Sequence, residues 1–154
     1  MRHKQGGDVY QQCNCPVNKE KKLVKQFDCV TSSLSNELGR AIVETRQHHF
    51  IIDSPPPLGG PNEELNPLDI LLAALATCGT FVIETAAREM KIPIKSVHVD
   101  AEGDFDPRIT EFRIKVNLDG TNPDQTNSLI EQFKARCPVY TTLSRAAPVK
   151  FEIA

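Results

Sequence analysis

Two of the five cysteines in the chain occupy positions where a thiol could do chemistry. Cys78 lies in the middle of a long apolar stretch and is followed by Gly79, which lets another backbone come close. Cys137 directly precedes Pro138, a residue that favours the first turn of a helix, so its sulfur should lie at a helix N-terminus. The partial positive charge there favours a thiolate. Such a pair fits peroxide reduction, in which one thiolate attacks the O–O bond and the sulfenic acid condenses with the other thiol.

A buried thiol needs a nearby cation before it can act as a nucleophile at neutral pH, because burial raises the pKa of a cysteine. Arg40 and Arg46 precede the apolar stretch, and the residues alone do not choose between them as this cation. The alternative is that Cys78 and Cys137 are structural, since free buried cysteines commonly serve as small hydrophobic side chains. Two isolated cysteines leave both interpretations open.

A metal site is a weaker alternative. His48 and His49 could join Cys78, but adjacent residues of a strand point to opposite faces, so both histidines cannot easily bind one ion. Cys13 and Cys15 form a Cys-x-Cys pair, yet a structural zinc site needs four ligands and no second pair is visible. We therefore expect neither a metal nor another cofactor.

The composition argues against some classes of function. A net charge of −2 with 25% charged residues gives no electrostatic case for binding nucleic acid or an anionic membrane. The chain does not begin with the basic and then apolar segments of a secretory signal. An odd number of cysteines without the spacing of a disulfide scaffold favours a reducing cytoplasm.

One helix, predicted at residues 66–91, must position the thiol in the apolar stretch. Asn66 is a good N-cap, Pro67 suits the first helical position, and Lys91 closes the last turn. Residues 70–83 are apolar or small on almost every side, so we expect the helix to be buried on most sides. This stretch is shorter than the roughly 20 residues that a bilayer requires, which predicts a core helix of a soluble protein.

The remaining elements alternate between strands and helices. Strands are predicted at residues 23–33, 38–45, 50–53, 94–102, 109–118 and 149–153, helices from 122 to about 136 and from 138, and an irregular linker at 54–65. Strands this close in sequence form antiparallel pairs, so the fold class is α+β. Cys29, in the first strand, is expected to be a buried small hydrophobic residue. Residues 1–22 should form a mobile extension and residues 23–154 a single domain.

Three segments resemble the OsmC/Ohr family, named after osmotically inducible protein C and the organic hydroperoxide resistance protein. They are DSPPPLGGPNEELNPLDILLAALATCGTF, VHVDAEGDFD and ARCPVYTTLSRAAPVKFEI. The most specific features are the Asn-Pro start of a helix that reaches Ala-Thr-Cys, and the later Cys-Pro. The resemblance covers roughly residues 38–153, and TRQHHFIIDSPPPLGG is more similar to the less studied OsmC-like branches than to the hydroperoxide enzymes.

The resemblance implies roles for both thiols and an OsmC-like fold. By it, Cys78 corresponds to the peroxidatic cysteine and Cys137 to the resolving cysteine. Family members form an intertwined homodimer in which two long helices pack centrally, antiparallel sheets wrap around them, and each active site is built from both chains. Gly79 would then be a contact point between the two long helices.

The resemblance also identifies one departure from the family pattern. The family's catalytic arginine matches Arg40, with Arg46 as the alternative. Its catalytic glutamate directly follows Asn-Pro, and that position is Leu68 here. Glu63 or Glu64 of the linker could approach the site instead. Because a misplaced arginine guides a substrate poorly, this departure predicts a slow peroxidase.

Two functions are therefore expected from the sequence. The first is a thiol-dependent peroxidase for organic hydroperoxides or hydrogen peroxide, which forms a Cys78–Cys137 disulfide and is reduced by a dithiol protein or small thiol. The second is a non-catalytic dimer that binds a small apolar molecule or acts as a slow redox sensor. In both, we expect Leu58, Leu68 and Phe81 to line the pocket at the interface.

Overall fold

The computed structural model describes residues 29–33 and 38–153. The predicted extension at residues 1–22, including Cys13 and Cys15, lies outside the described residues. So does most of the first predicted strand, of which β1 (Val30–Ser33) is described. Cys29 directly precedes β1 and is exposed, so the expectation that it is a buried hydrophobic residue is wrong.

Three strands form the first sheet, in the order β1, β2 (Arg40–Thr45) and β3 (His48–Asp53), and all neighbours are antiparallel. The predicted meander is therefore confirmed. The third strand begins at His48, two residues earlier than predicted, because a two-residue turn at Arg46 and Gln47 closes the hairpin. Both turn residues have positive φ, 47° and 67°, which matches the right-handed twist of a tight hairpin.

The linker after β3 is irregular apart from a short 3-10 turn at Pro56–Leu58. Both ends of the linker are fixed to the first sheet. The N–H of Ser54 donates to the carbonyl of Gly39 at 2.6 Å, and the N–H of Asp53 donates to the carbonyl of Leu65 at 3.0 Å. The linker is therefore a folded loop on the end of the hairpin.

The long helix α1 (Pro67–Glu89) begins where the sequence predicts. The Asn66 side chain accepts hydrogen bonds from the N–H groups of Leu68 and Asp69, and the Asp69 carboxylate accepts from the N–H of Asn66. This reciprocal capping box satisfies the free N–H groups at the helix start. Among the described residues α1 is the one helix long and apolar enough to cross a membrane, a property that core helices of soluble proteins share.

The expectation that α1 is buried on most sides is wrong for the single subunit. Its buried residues form one stripe: Leu75, Gly79, Ile83, Ala86 and Ala87. Other faces of the apolar stretch are open, and Phe81 is 65% exposed. The subunit therefore presents an uncovered apolar helix face.

The second sheet contains β4 (Ser96–Phe105), β5 (Ile109–Asp119) and β6 (Val149–Ile153). β4 and β5 form the predicted antiparallel hairpin. β6 pairs with β5 in parallel, because the chain crosses back through α2 (Pro123–Arg136) and α3 (Pro138–Leu143) before it. The α+β class and the element order predicted from the sequence are confirmed.

The core lies between α1, the second sheet and the two later helices. Its fully buried side chains include Leu75, Ile83, Phe112, Ile114, Val116, Leu129, Phe133 and Cys137. The predicted inward faces of β5 and α2 are thus confirmed. No described residue of β1, β2 or β3 belongs to this core. The first sheet is therefore not packed into the core of its own subunit.

Gly79 contacts α2 of the same subunit. A Cβ placed on Gly79 would lie 2.6 Å from Cε1 of Phe133 and closer still to its Cζ. The expectation that Gly79 marks the contact between two long helices of a dimer is therefore wrong. The missing side chain makes room for an aromatic ring of the subunit's own core.

Candidate active site

The structure brings Cys78 and Cys137 together. Cys78 lies on α1, half-buried against the core, and Cys137 is fully buried at the junction of α2 and α3. The two thiols lie near enough to each other that Cys78 raises the pKa of Cys137. The two residues are far apart in sequence, and the packing of α1 against α2 and α3 makes them neighbours.

Cys137 is the N-cap of α3, and its sulfur accepts a hydrogen bond from the N–H of Tyr140 at 3.3 Å. Burial, and after it the neighbouring Cys78, raise the pKa of the Cys137 thiol to about 11, although the Tyr140 hydrogen bond acts in the opposite direction. The expected helix position is present. The helix N-terminus favours the thiolate form of Cys137, but the loss of solvation on burial outweighs this effect. Cys137 is therefore a neutral thiol at physiological pH.

Three aromatic rings hold the elements around Cys137. Phe133 of α2, Tyr140 of α3 and Phe151 of β6 contact one another edge to face, with ring centroids 5.4 to 5.8 Å apart. Edge-to-face pairs at such distances are favourable. This cluster fixes α3, and with it Cys137, against the rest of the core.

Arg40, at the start of β2, is held by two carboxylates. Its Nε donates to Oδ1 of Asp53 at 2.8 Å, and its Nη2 donates to Oδ2 of Asp53 at 2.8 Å and to Oε2 of Glu63 at 2.7 Å. The arginine faces an open surface cleft of about 400 Å³ whose other lining residues are Leu38, Gly59, Gly60, Pro61 and Glu63. A guanidinium held in this bidentate way has a fixed direction.

Arg46 lies elsewhere. It is exposed in the turn between β2 and β3, at the opposite end of β2 from Arg40. At about 3.3 Å per strand residue, the two arginines are roughly 20 Å apart. They therefore cannot serve the same site within one subunit.

The sequence reasoning missed Asp53, which is fully buried. Besides Arg40, the N–H groups of Glu63 and Glu64 donate to its Oδ2 at 3.0 and 3.1 Å. The hydrogen bond from Arg40 is the main reason that the pKa of Asp53 is lowered to about 2. A signal was available, because Asp53 is the acidic end of an apolar strand and lies directly opposite Arg40 in the hairpin register.

Asp53 is expected to make stability sensitive to acid within a defined window. Its pKa is about 2 in the folded protein against an ordinary value of 3.8. A lowered carboxyl pKa stabilises the fold while the group is ionised, so this contribution is complete above about pH 4 and is lost as the pH falls through about 2. We expect the free energy of unfolding of wild type to exceed that of Asp53→Asn at about pH 5, and this difference to shrink towards about pH 2. Urea unfolding curves of both proteins at several pH values in this range measure it.

The comparison with Asp53→Asn removes the effect of the other acidic groups that titrate in this range. Glu89 and Asp104 also have a lowered pKa, through hydrogen bonds from Arg136 and Arg113 respectively. They titrate equally in both proteins. A difference in unfolding free energy between wild type and Asp53→Asn that stays constant over the range would contradict this role of Asp53.

The three predicted pocket residues are exposed in the subunit. Leu58 lies on the 3-10 turn and is 71% exposed, Leu68 lies in the first turn of α1 and is 39% exposed, and Phe81 lies one turn after Cys78. The subunit by itself does not enclose them. In the described part of the chain, no three His, Cys, Asp or Glu side chains are grouped so that they could hold a metal ion.

Solved structures with the same fold support this architecture. An OsmC-like protein from Mycoplasma pneumoniae is 17% identical with a TM-score of 0.72, covering 86% of this chain and 98% of its own. An organic hydroperoxide resistance protein from Elizabethkingia anophelis is 20% identical with a TM-score of 0.70, and the match covers 87% of this chain and 99% of that protein. Another organic hydroperoxide resistance protein, from Legionella pneumophila, is 20% identical with a TM-score of 0.66, and the match covers 86% of this chain and 99% of that protein. At such identities the likeness shows the fold.

We found no match among curated proteins. The family model of OsmC-like proteins, in contrast, matches residues 60–152, which are more than half of the chain. The matched region includes α1 with Cys78, the junction with Cys137, and most of the second sheet. Sequence and fold agree, and the chain belongs to the OsmC-like protein family.

Proposed function

We propose that this protein is a thiol-dependent peroxidase that reduces organic hydroperoxides or hydrogen peroxide in a reducing cytoplasm. The observation that carries the proposal is the proximity of the Cys78 thiol, packed against the core, to the buried Cys137 thiol. Two of the solved structures with this fold are those of organic hydroperoxide resistance proteins, which supports the same class of substrate.

The surroundings of the two thiols give them different roles. Cys78 is half-buried and can be reached from outside, so it is the thiol that attacks the peroxide. Its thiolate takes the distal oxygen, the O–O bond breaks, and the alkoxide leaves as an alcohol after it gains a proton. Cys137 is fully buried and neutral, which suits a resolving thiol shielded from peroxide.

The second half of the cycle uses Cys137. Its sulfur bonds to the sulfur of the Cys78 sulfenic acid, the S–O bond breaks, and the hydroxyl leaves with the Cys137 proton as water. An external dithiol then reduces the disulfide and is itself oxidised. The thiols of the protein carry all the electrons, so the cycle requires no cofactor.

We further propose that the working form is an intertwined homodimer with the site completed by the second copy. α1 leaves Phe81 and neighbouring small residues uncovered, and the first sheet exposes Ile42, Phe50 and Ile51 outside the subunit core. Exposed apolar surfaces on both elements are typical of an interface. A second copy would cover them and enclose Leu58, Leu68 and Phe81 as an apolar pocket.

The arginine contacts bear on one expectation about rate. The sequence predicted a slow peroxidase because Leu68 replaces the family's glutamate. In this structure Asp53 and Glu63 already hold the Arg40 guanidinium in a fixed direction. Asp69, the carboxylate next to Leu68, does not replace that glutamate, because it accepts a hydrogen bond from the N–H of Asn66 in the capping box of α1. We therefore propose that Asp53 and Glu63 take over the orienting role of the missing glutamate, and the slow rate stays a prediction.

The proposal is tested by treating the reduced protein with stoichiometric cumene hydroperoxide. Intact mass should fall by about 2 Da, the loss of two hydrogens on disulfide formation. Peptide mapping without reduction should then assign the bond to Cys78 and Cys137. A sample reduced again with a dithiol is the control and should regain the original mass. Unchanged thiols, or a bond that involves other cysteines, would contradict the proposal.

A second candidate is a non-catalytic dimer that binds a small apolar molecule or acts as a slow redox sensor. The observation that favours it is the apolar Leu68 at the position of the family's carboxylate, with Leu58 and Phe81 also apolar and exposed. Thiols that remain unchanged after peroxide treatment would favour this candidate.

A further inference from the structure

We infer that Gly79 and Phe133 together set the distance between the Cys78 and Cys137 thiols, so that Gly79 is a positioning residue for disulfide formation. This inference rests on the proposed function for its place in the cycle. The spacing itself is a property of the folded chain and can be measured without peroxide. It assigns a role to the glycine that directly follows the reactive cysteine.

The first step is the contact between Gly79 and Phe133. A Cβ on Gly79 would lie 2.6 Å from Cε1 and 3.0 Å from Cε2 of the Phe133 ring. Carbon atoms that are not bonded normally stay about 3.5 to 4.0 Å apart. The ring edge therefore occupies the volume that any side chain at position 79 would need, and it sets how closely α2 approaches α1.

The second step is that the Phe133 ring has little room to retreat. Its centroid lies 5.8 Å from that of Tyr140 and 5.4 Å from that of Phe151, and its side chain is fully buried. Close-packed interiors transmit strain instead of absorbing it. A methyl group added at Gly79 would displace α2 as well as the ring.

The third step links Phe133 to the resolving thiol. The N–H of Cys137 donates to the carbonyl of Phe133 at 3.0 Å, so Cys137 lies one helical turn further along α2. Cys78 is the neighbour of Gly79 on α1. A displacement at the Gly79–Phe133 contact is therefore transferred to the separation of the two sulfurs.

The fourth step concerns which reaction this separation affects. Peroxide attack by Cys78 does not involve Cys137. Disulfide formation requires an S–S distance of about 2.05 Å and Cα atoms about 4.4 to 6.8 Å apart, with a defined dihedral angle. Spacing should therefore control the disulfide step and leave sulfenic acid formation unchanged.

The experiment compares wild type with Gly79→Ala in glutathione buffers of increasing oxidised fraction, and the Cys78–Cys137 disulfide is quantified by mass spectrometry. We expect Gly79→Ala to have a disulfide equilibrium constant lower by about tenfold or more, because its geometry is strained. With peroxide, dimedone should trap more Cys78 sulfenic acid in Gly79→Ala than in wild type. Equal equilibrium constants in a folded Gly79→Ala protein would overturn the inference.

The double variant Gly79→Ala, Phe133→Leu is the rescue test. The shorter leucine leaves space for the added methyl, so this variant should form the disulfide as readily as Phe133→Leu alone. If Gly79→Ala alone does not fold, the comparison of the double variant with Phe133→Leu still tests the positioning role of Gly79. A double variant with a weaker disulfide than Phe133→Leu would overturn the inference. Since the glutathione assay uses no peroxide, its result is independent of whether the protein is a peroxidase.

Discussion

Cys78→Ser is expected to abolish peroxide consumption, while Cys137→Ser should still react with peroxide in the first turnover. Cys78 is the half-buried thiol, and serine in its place cannot form a sulfenic acid. Cys137 is buried and neutral, so its removal spares the attack and blocks the step after it. The sulfenic acid of Cys137→Ser should persist long enough for dimedone to trap it or for excess peroxide to overoxidise it.

Stopped-flow measurement of peroxide loss, with mass spectrometry of the quenched samples, distinguishes these states. Cys29→Ser is the matched control, since Cys29 is a free cysteine exposed at the edge of the first sheet. Its rate should stay within about twofold of wild type, as expected for an exposed residue outside the site. If Cys78→Ser and Cys137→Ser both consume peroxide at the wild-type rate, the peroxidase proposal is wrong.

Arg40→Gln is expected to lower the second-order rate with an organic hydroperoxide by about a hundredfold, the scale of loss for a displaced catalytic group. Arg40 has a fixed direction because Asp53 and Glu63 hold it. We expect its charge to act on Cys78 once the proposed dimer brings the two residues together. Arg46→Gln is the matched control and should stay within about twofold of wild type, since Arg46 is exposed in a turn at the other end of β2.

Mixing Cys78→Ser with Arg40→Gln tests whether the arginine acts across the proposed dimer. Neither Cys78→Ser nor Arg40→Gln has a complete site alone. If the partner subunit supplies Arg40, exchange between the two proteins creates mixed dimers with one intact site. About a quarter of the wild-type rate should then return, because half of the randomly exchanged dimers carry one such site. No recovery after demonstrated subunit exchange would show that Arg40 acts within its own chain or has no catalytic role.

The local elements of this protein could be predicted from the sequence because their signals act over a few residues. Asn66 defines the start of α1 through hydrogen bonds that close within one turn, and Pro67 suits the first helical position. Asn122 and Pro123 do the same for α2. Alternating apolar residues defined β5 and its inward face. The resemblance to OsmC proteins added expected roles for the two thiols, which the spacing of the cysteines had left open.

Long-range contacts were decided by the tertiary structure alone. Asp53 carried a hairpin-register signal, but its burial and four hydrogen bonds depend on the folded linker. Gly79 was assigned to the wrong helix contact, since a glycine signals close approach without naming its partner. The sequence determined that Cys137 lies at a helix N-terminus, and the tertiary structure determined that it is a neutral thiol. Burial acts through every element packed around the sulfur, so it outweighed the local hydrogen bonds from the first turn of α3 that the sequence could predict.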